Sequence, residues 1–159
     1  MKKLFSSKLF ILMYCLSGII LVQLFGSLFS IHDECWYHCL KKPPLVPPSY
    51  AFGIIWPVLY LSIALALWLL IIKQTKKRKT TAYIFFGLQL YFNFLWTFLF
   101  FGLESPLLAL INVFLLDIFL ILSMIAIYPI SKISFSLLIP YLLWVLFATY
   151  LNFGFLLMN

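Results

Sequence analysis

Charged residues are scarce in this sequence. Only 9% of its 159 residues are charged and 65% are hydrophobic, whereas soluble domains have about 25% charged and about 45–50% apolar residues. The net charge of +7 comes from eleven basic and four acidic residues, and the basic residues are concentrated in short loops rather than spread over a surface. The composition excludes a soluble domain and favours an all-α integral membrane protein with no nucleic-acid partner.

The residue sets of ordinary catalysis are also missing. No Ser/His/Asp or Cys/His set lies on segments that could converge, and no Gly-rich phosphate loop or pair of carboxylates is present. Both histidines, His32 and His38, fall in one loop. Acid–base hydrolysis therefore does not fit, although photochemistry or redox chemistry through tryptophan would leave no such pattern.

Three cysteines are too few for a disulfide framework. Cys35 and Cys39 lie four residues apart beside His32 and His38, which raises the question of a metal site. Their spacing matches neither zinc nor haem-attachment motifs, so we expect ordinary thiols and imidazoles, no bound metal and no required cofactor.

Long apolar runs dominate the rest of the chain. Each is long enough for the roughly 20 residues that cross a 30 Å hydrocarbon core. We predict one domain, residues 1–159, folded as a bundle of five transmembrane helices at about 9–31, 51–72, 81–101, 107–128 and 134–157.

The loops between these runs differ in charge. Nine basic residues fall on one side and two, Lys41 and Lys42, on the other, which predicts a multi-pass protein with a cytoplasmic N-terminus. The loop at 32–50 contains Pro43-Pro44 and Pro47-Pro48, which disfavour helix. We expect residues 42–48 to be extended or turning, and the loop to lie at the membrane edge or to fold as a lid over the mouth of the bundle.

One predicted helix carries a polar and aromatic face. Gln89, Asn93, Trp96, Thr97 and Phe100 recur at steps of three and four. Hydrogen bonds between helices would explain this face. It also suits the wall of a cavity, with amides for a ligand's polar edge and rings for its flat face.

Two further faces combine rings with a small residue. They are Trp144, Phe147, Ala148 and Leu151 on the last helix, and Gly53, Trp56 and Tyr60 on the second. Core packing explains a single face of this kind nearly as well, but three such faces favour an aromatic-walled pocket.

Asn112 and Asp117 are polar residues within the fourth apolar run. A carboxyl group near the bilayer centre costs about 2.5–3.5 kcal/mol on insertion scales, so we expect Asp117 to face protein. A structural hydrogen bond to a neighbouring helix is the simplest interpretation, and a functional role stays open.

Several motifs together resemble the translocator protein (TspO) family, also called tryptophan-rich sensory proteins or peripheral benzodiazepine receptors. In order they read WY-x-x-L-x-KP followed by PP, FG-x-x-W-x-x-LY, Q-x-x-x-N-x-x-W-x-x-x-FFG, SP-x-x-AL and LIPYLLWVLFATYLN, over about residues 30–153. The resemblance implies a bacterial-type member in the cell membrane: a five-helix bundle, usually a homodimer, whose pocket binds porphyrins such as protoporphyrin IX or haem. For animal members, the resemblance also implies that the pocket binds cholesterol and synthetic drugs.

The resemblance also implies roles for individual residues. Trp36 and Tyr37 become part of the lid, and the pocket residues become Trp56, Asn93, Trp96, Trp144, Phe147 and Ala148. Two positions depart from the family pattern. Leu45 stands where Trp is usual, which thins the aromatic lid, and Asn112 stands where many members have Asp.

Three functions follow as hypotheses. The first is a receptor that binds tetrapyrroles and similar flat ligands and thereby tunes stress responses. The second is an enzyme that degrades porphyrin in light and oxygen through Trp56 and Trp144. The third, a transporter of porphyrin or sterol, is disfavoured because no chain of carboxylates accompanies Asp117, and no Lys or Arg follows Tyr150 to complete the proposed sterol pattern.

Overall fold

A computed structural model describes residues 2–30 and 34–159 of the chain, with the side chains of 2–7, 22, 23, 25–30, 34 and 35 excluded. His32 lies outside the described residues, as does the side chain of Cys35. The described backbone is helical apart from short connections. The helices are α1 (Lys2–Ser30), α2 (Glu34–Cys39), α3 (Ser49–Ile72), α4 (Thr80–Thr97), which continues as a π-helical turn (Phe98–Gly102), α5 (Pro106–Ile127) and α6 (Lys132–Met158).

Helix starts coincide with local capping signals. Ser105 accepts a hydrogen bond from the Leu108 N–H at 3.4 Å, and Pro106 occupies the first turn of α5. Ser131 accepts one from the Ser134 N–H at 3.2 Å at the start of α6. Both serines satisfy amides that a helix leaves unpaired.

The long helices pack as one bundle around an apolar core. Its wholly buried members come from several helices, among them Ile63 of α3, Leu120 of α5 and Leu138 of α6. Other large side chains, such as Phe114 and Ile118 of α5, are about half exposed. An apolar exterior of this kind suits contact with lipid.

Four helices are long and apolar enough to span a membrane: α3, α4 with its π-helical turn, α5 and α6. In α1, a helix of 29 residues, the apolar segment found among the described residues is shorter, Lys8–Leu21. The chain is a multi-pass membrane protein of the all-helical class.

The two ends of the bundle carry different loops. At one end, called here the lid end, the connection Leu40–Pro48 lies against the C-terminal turn of α6, because Lys41 is hydrogen-bonded to Asn159. At the other, the basic end, the 73–79 loop approaches the α5–α6 connection, where Lys77 Nζ donates to the Pro129 carbonyl at 3.0 Å.

Two details differ from the sequence prediction. The loop predicted at 32–50 is helical at both ends: α2 occupies Glu34–Cys39 and α3 begins at Ser49, and the proline restriction acts only from residue 42 onward. The predicted helix 81–101 does not stay α-helical, since the Leu103 N–H bonds to the Phe98 carbonyl at 2.9 Å and widens the last turn. No proline or glycine pair announces that change.

Candidate functional site

Aromatic rings fill the lid end of the bundle. Phe100, which is 2% exposed, meets Trp36 of α2 edge to face at a centroid distance of 5.4 Å and stacks on Trp96 at 5.1 Å. Tyr37 contacts Phe101 and Phe155 at 5.9 and 5.7 Å. The predicted lid residues Trp36 and Tyr37 therefore lie on α2 and are packed onto the ends of α4 and α6.

A second set of rings lies deeper, between α3 and α6. Trp56 stacks on Tyr60 at 5.2 Å and meets Trp144 edge to face at 6.5 Å. Trp144 also contacts Phe52 and Phe147, both at 5.7 Å. Two of the predicted faces thus meet at Trp144, and their rings touch one another. A flat ligand would have to separate them.

Amide and phenol groups connect this ring set to α4. The Tyr60 hydroxyl donates to Asn93 Oδ1 at 2.9 Å, and Asn93 Nδ2 donates to the Tyr141 hydroxyl oxygen at 3.1 Å. Asn93 is 5% exposed and Tyr141 wholly buried. The third predicted face therefore joins the other two through Asn93.

Two predicted site residues carry buried polar atoms without partners. The Trp144 indole N–H has no acceptor among the described residues, and the same holds for both amide atoms of Gln89, one turn from Asn93. A buried polar group left unpaired costs about 1–3 kcal/mol. Such groups in a native bundle call for a partner, which a bound ligand or water can provide.

The other predicted residues have more ordinary surroundings. Trp96 donates its indole N–H to Asn152 Oδ1 at 2.9 Å. Thr97 and Ala148 are half-buried, and the Thr97 hydroxyl has no hydrogen bond to the described residues. Leu45 is 77% exposed with φ 67°, so its side chain does not close the lid over the rings.

Asp117 faces protein, as predicted. It is 7% exposed, and its Oδ2 accepts a hydrogen bond from Thr149 of α6 at 2.8 Å, whereas Oδ1 has no partner in the described part of the chain. Asn112 donates to the Phe92 carbonyl of α4 at 2.8 Å. Asn112 and Asp117 thus both tie α5 to neighbouring helices.

The charged groups near the rings are few. Lys42 places its ammonium over the Tyr37 ring, 5.1 Å from the centroid, which is cation–π distance. Burial raises the pKa of the Tyr37 phenol above its usual value, so this ring stays neutral. Across the described residues, no three His, Cys, Asp or Glu side chains converge on a point that could hold a metal ion.

A groove of about 190 Å³ opens beside the ring set, between α1 and α3. Leu16, Ile19 and Ile20 of α1 line one wall, and Pro57, Tyr60 and Leu61 of α3 line the other. Because Tyr60 stacks on Trp56, this apolar groove reaches the back of the ring set.

Sequence reasoning passed over several members of the site. Tyr141 and Asn152 complete the hydrogen bonds of Asn93 and Trp96, and Phe155 closes the ring cluster under Tyr37. Asn152 carried a usable signal, since it is a polar side chain in an apolar helix one turn from Ala148. Phe155 and Tyr141 carried none that distinguishes them from other rings in the same helix.

The chain matches the TspO/MBR family over residues 11–158. It belongs to that family. It is 42% identical over 135 residues to the tryptophan-rich protein TspO of Archaeoglobus fulgidus, covering 84% of this chain and 87% of the relative. It is 36% identical over 121 residues to the tryptophan-rich sensory protein of Cereibacter sphaeroides, covering 76% and 74%. It is also 32% identical over 133 residues to the human translocator protein, covering 80% and 78%.

Membership in the TspO/MBR family confirms the resemblance found in the sequence motifs. It agrees with the all-helical membrane fold and with a protein of the receptor or sensory kind.

Proposed function

We propose that this TspO/MBR member is a receptor of the bacterial cell membrane that binds tetrapyrroles, such as protoporphyrin IX or haem, and similar flat hydrophobic molecules between its helices. It would thereby take part in porphyrin handling and stress response. The bundle would act as a homodimer in the bilayer, with its N-terminus in the cytoplasm.

The observation that carries this proposal is the buried indole N–H of Trp144, which lies among Phe52, Trp56 and Phe147 and has no acceptor in the part of the chain that the structure describes. Rings on several sides suit the faces of a planar macrocycle, and the indole N–H suits a polar atom on its edge. Lys41 and Lys42 at the lid end would meet propionate groups.

The test is a porphyrin titration of the purified protein in nanodiscs, followed by the Soret absorbance of the porphyrin. Trp144→Ala and Trp56→Ala should each weaken binding by about 1–3 kcal/mol, the range for loss of an aromatic stacking partner. Trp68→Phe is the matched control, since the Trp68 indole donates to the Lys8 carbonyl at 2.9 Å, away from the ring set. Equal affinities in all folded variants would refute the site.

A second function is favoured by one observation. Trp56, Trp144 and Tyr60 form a continuous row of oxidisable rings, which suits an enzyme that degrades bound porphyrin with light and dioxygen. Illuminating the complex with and without oxygen separates the two functions. Oxygen-dependent loss of the Soret band that Trp144→Phe abolishes would make the protein an enzyme, and an unchanged band would leave it a receptor.

The orientation has its own test. Reporter fusions at Lys77 and after Asn159 should report opposite sides, because the basic end is expected to face the cytoplasm. Reporters on the same side would overturn the proposed topology.

A further inference from the structure

The C-terminal end of α6 and the residue after it contact the lid loop, Leu40–Pro48, at three points. Asn159 Oδ1 accepts from the Lys41 N–H at 2.9 Å, and Asn159 Nδ2 donates to the Lys41 carbonyl at 3.1 Å. One primary amide thus pairs with both main-chain groups of a residue 118 positions away, much as a neighbouring β-strand would. The same Nδ2 also donates to the Phe155 carbonyl at 2.9 Å, which fixes the amide to the end of α6.

The next contact is steric. A Cβ built on Gly154 would lie 2.5 Å from Pro43 Cβ and 2.9 Å from Pro43 Cγ, so any larger residue there must displace the proline ring. Pro43 is buried. One helical turn earlier, the Tyr150 hydroxyl donates to the Pro44 carbonyl at 3.3 Å. Asn159, Gly154 and Tyr150, at and just beyond the end of α6, therefore contact Lys41, Pro43 and Pro44 respectively.

The loop held in this way lies between two parts of the candidate site. On one side it follows α2, whose Trp36 and Tyr37 cover Phe100, and on the other it leads to Phe52, which contacts Trp144. Val46 of the loop packs against the buried cluster that contains Phe100 and Phe155. Movement of the loop away from α6 would pull on both groups of rings.

We infer that Asn159, Gly154 and Tyr150 form a latch that holds the lid loop closed over the rings and sets how fast a flat hydrophobic ligand enters and leaves. The second half of this inference, the control of ligand exchange, rests on the proposed function. The first half does not. These three are positioning residues, since the structure places them against the loop and not among the ring contacts around Trp144.

The latch can be tested without any ligand, by trypsin cleavage. Lys41–Lys42 is a trypsin site inside the latched segment, whereas Lys42–Pro43 is blocked by proline, and the Lys76–Lys77 bond at the basic end serves as an internal reference. Asn159→Leu keeps the branched shape of the side chain and removes both hydrogen bonds to Lys41. It should raise cleavage at Lys41–Lys42, relative to Lys76–Lys77, by about two- to tenfold, the range for one to two exposed hydrogen bonds.

Gly154→Ala supplies an independent disruption, by sterics rather than by loss of a hydrogen bond. It should raise the same cleavage ratio at least as much as Asn159→Leu. The matched control is Gly87→Ala, because a Cβ on Gly87 meets no atom within 4 Å, and it should leave the ratio unchanged. Unchanged ratios in both latch variants, with wild-type circular dichroism and elution volume, would overturn the latch.

Ligand exchange is then measured by stopped-flow mixing with protoporphyrin IX. Association and dissociation rates should rise together in Asn159→Leu, each by about two- to tenfold, with Kd changing less than either rate. Raised cleavage with unchanged exchange rates would overturn the control of exchange. Raised cleavage in a protein that binds no protoporphyrin would support the latch and refute the proposed function.

Discussion

The lid end and the basic end of this bundle are held by different chemistry. At the lid end, neutral rings pack on one another around Phe100, and a neutral amide pairs with Lys41. At the basic end, ammonium groups bond to carbonyls where helices finish. Lys79 Nζ donates to the Leu70 and Ile71 carbonyls at 2.7 and 2.9 Å.

The two kinds of contact suit two different roles within one small membrane protein. Cations at helix C-termini are favourable because they meet the negative end of the helix dipole, but salt screens them. Ring packing depends on apolar area and is not screened. The basic end therefore suits orientation and anchoring, while the ring packing at the lid end suits an apolar ligand and should contribute equally to stability at low and high ionic strength.

The largest effect should come from the centre of the lid-end rings. Phe100→Ala should lower the free energy of unfolding by about 3–5 kcal/mol, the range for removing a buried Phe, in both low and high salt. Unfolding in mixed SDS micelles measures it. Phe114→Ala is the matched control, since Phe114 is 50% exposed on α5, and a comparable loss in that control would contradict the assignment of the core.

Next in size is the buried amide that joins three helices. Asn152 accepts from Trp96 and donates to the Pro106 carbonyl at 2.8 Å, so Asn152→Ala removes the partner of two half-buried groups. Because both groups are only half-buried, we expect about 1–3 kcal/mol of destabilisation in total, measured in the same micelles. Asn159→Ala, at an exposed amide, should cost less. The reverse order would show that the exposed amide matters more than the buried one.

A substitution at the basic end should change the free energy of unfolding less, and the change should depend on salt concentration. Lys79→Met removes the cation from the end of α3 and should cost about 0.3–1 kcal/mol at low ionic strength. The loss of unfolding free energy should be smaller at about 1 M salt, where screening is nearly complete, than at low salt. A cost that persists at high salt would indicate packing of the lysine stem instead of charge.

The smallest effect is expected at the tip of the lid. Leu45→Trp restores the residue usual in the family, yet the position is 77% exposed with φ 67°. Surface substitutions usually change stability by less than about 0.5 kcal/mol, and we expect a similar limit for the change in porphyrin affinity by Soret titration. A tighter complex by tenfold or more would show that the loop turns inward when ligand binds.

Much of the site could be predicted because its residues are unusual where they occur. Trp56, Trp144 and Asn93 stand out in apolar helices, and helical periodicity placed each on a face. Their partners could not be predicted in the same way. Which residue of α6 contacts Asn93 depends on the axial position of α6 relative to α4. Periodicity within one helix carries no information about that relative position.

The backbone conformation of the lid region was predicted only in part. The prolines correctly excluded helix between Lys42 and Pro48, but α2 arises from packing of Trp36 and Tyr37 onto Phe100, a contact distant in sequence. A six-residue helix is too short to be stable by itself. Its existence is therefore a property of the assembled bundle.

The π-helical turn at Phe98–Gly102 has a consequence for how the chain tolerates changes in length. Such a turn closes its hydrogen bond one residue later than an α-helical turn, so it holds one extra residue without breaking the helix. Here it lets adjacent rings, Phe100 and Phe101, both contact Tyr37. Deleting a residue between Phe98 and Gly102 would restore ordinary helix, leave the basic end in register and rotate everything beyond it. In an alignment, that deletion would look like a harmless single-residue gap, while on the molecule it would remove one side of the rings beneath the lid.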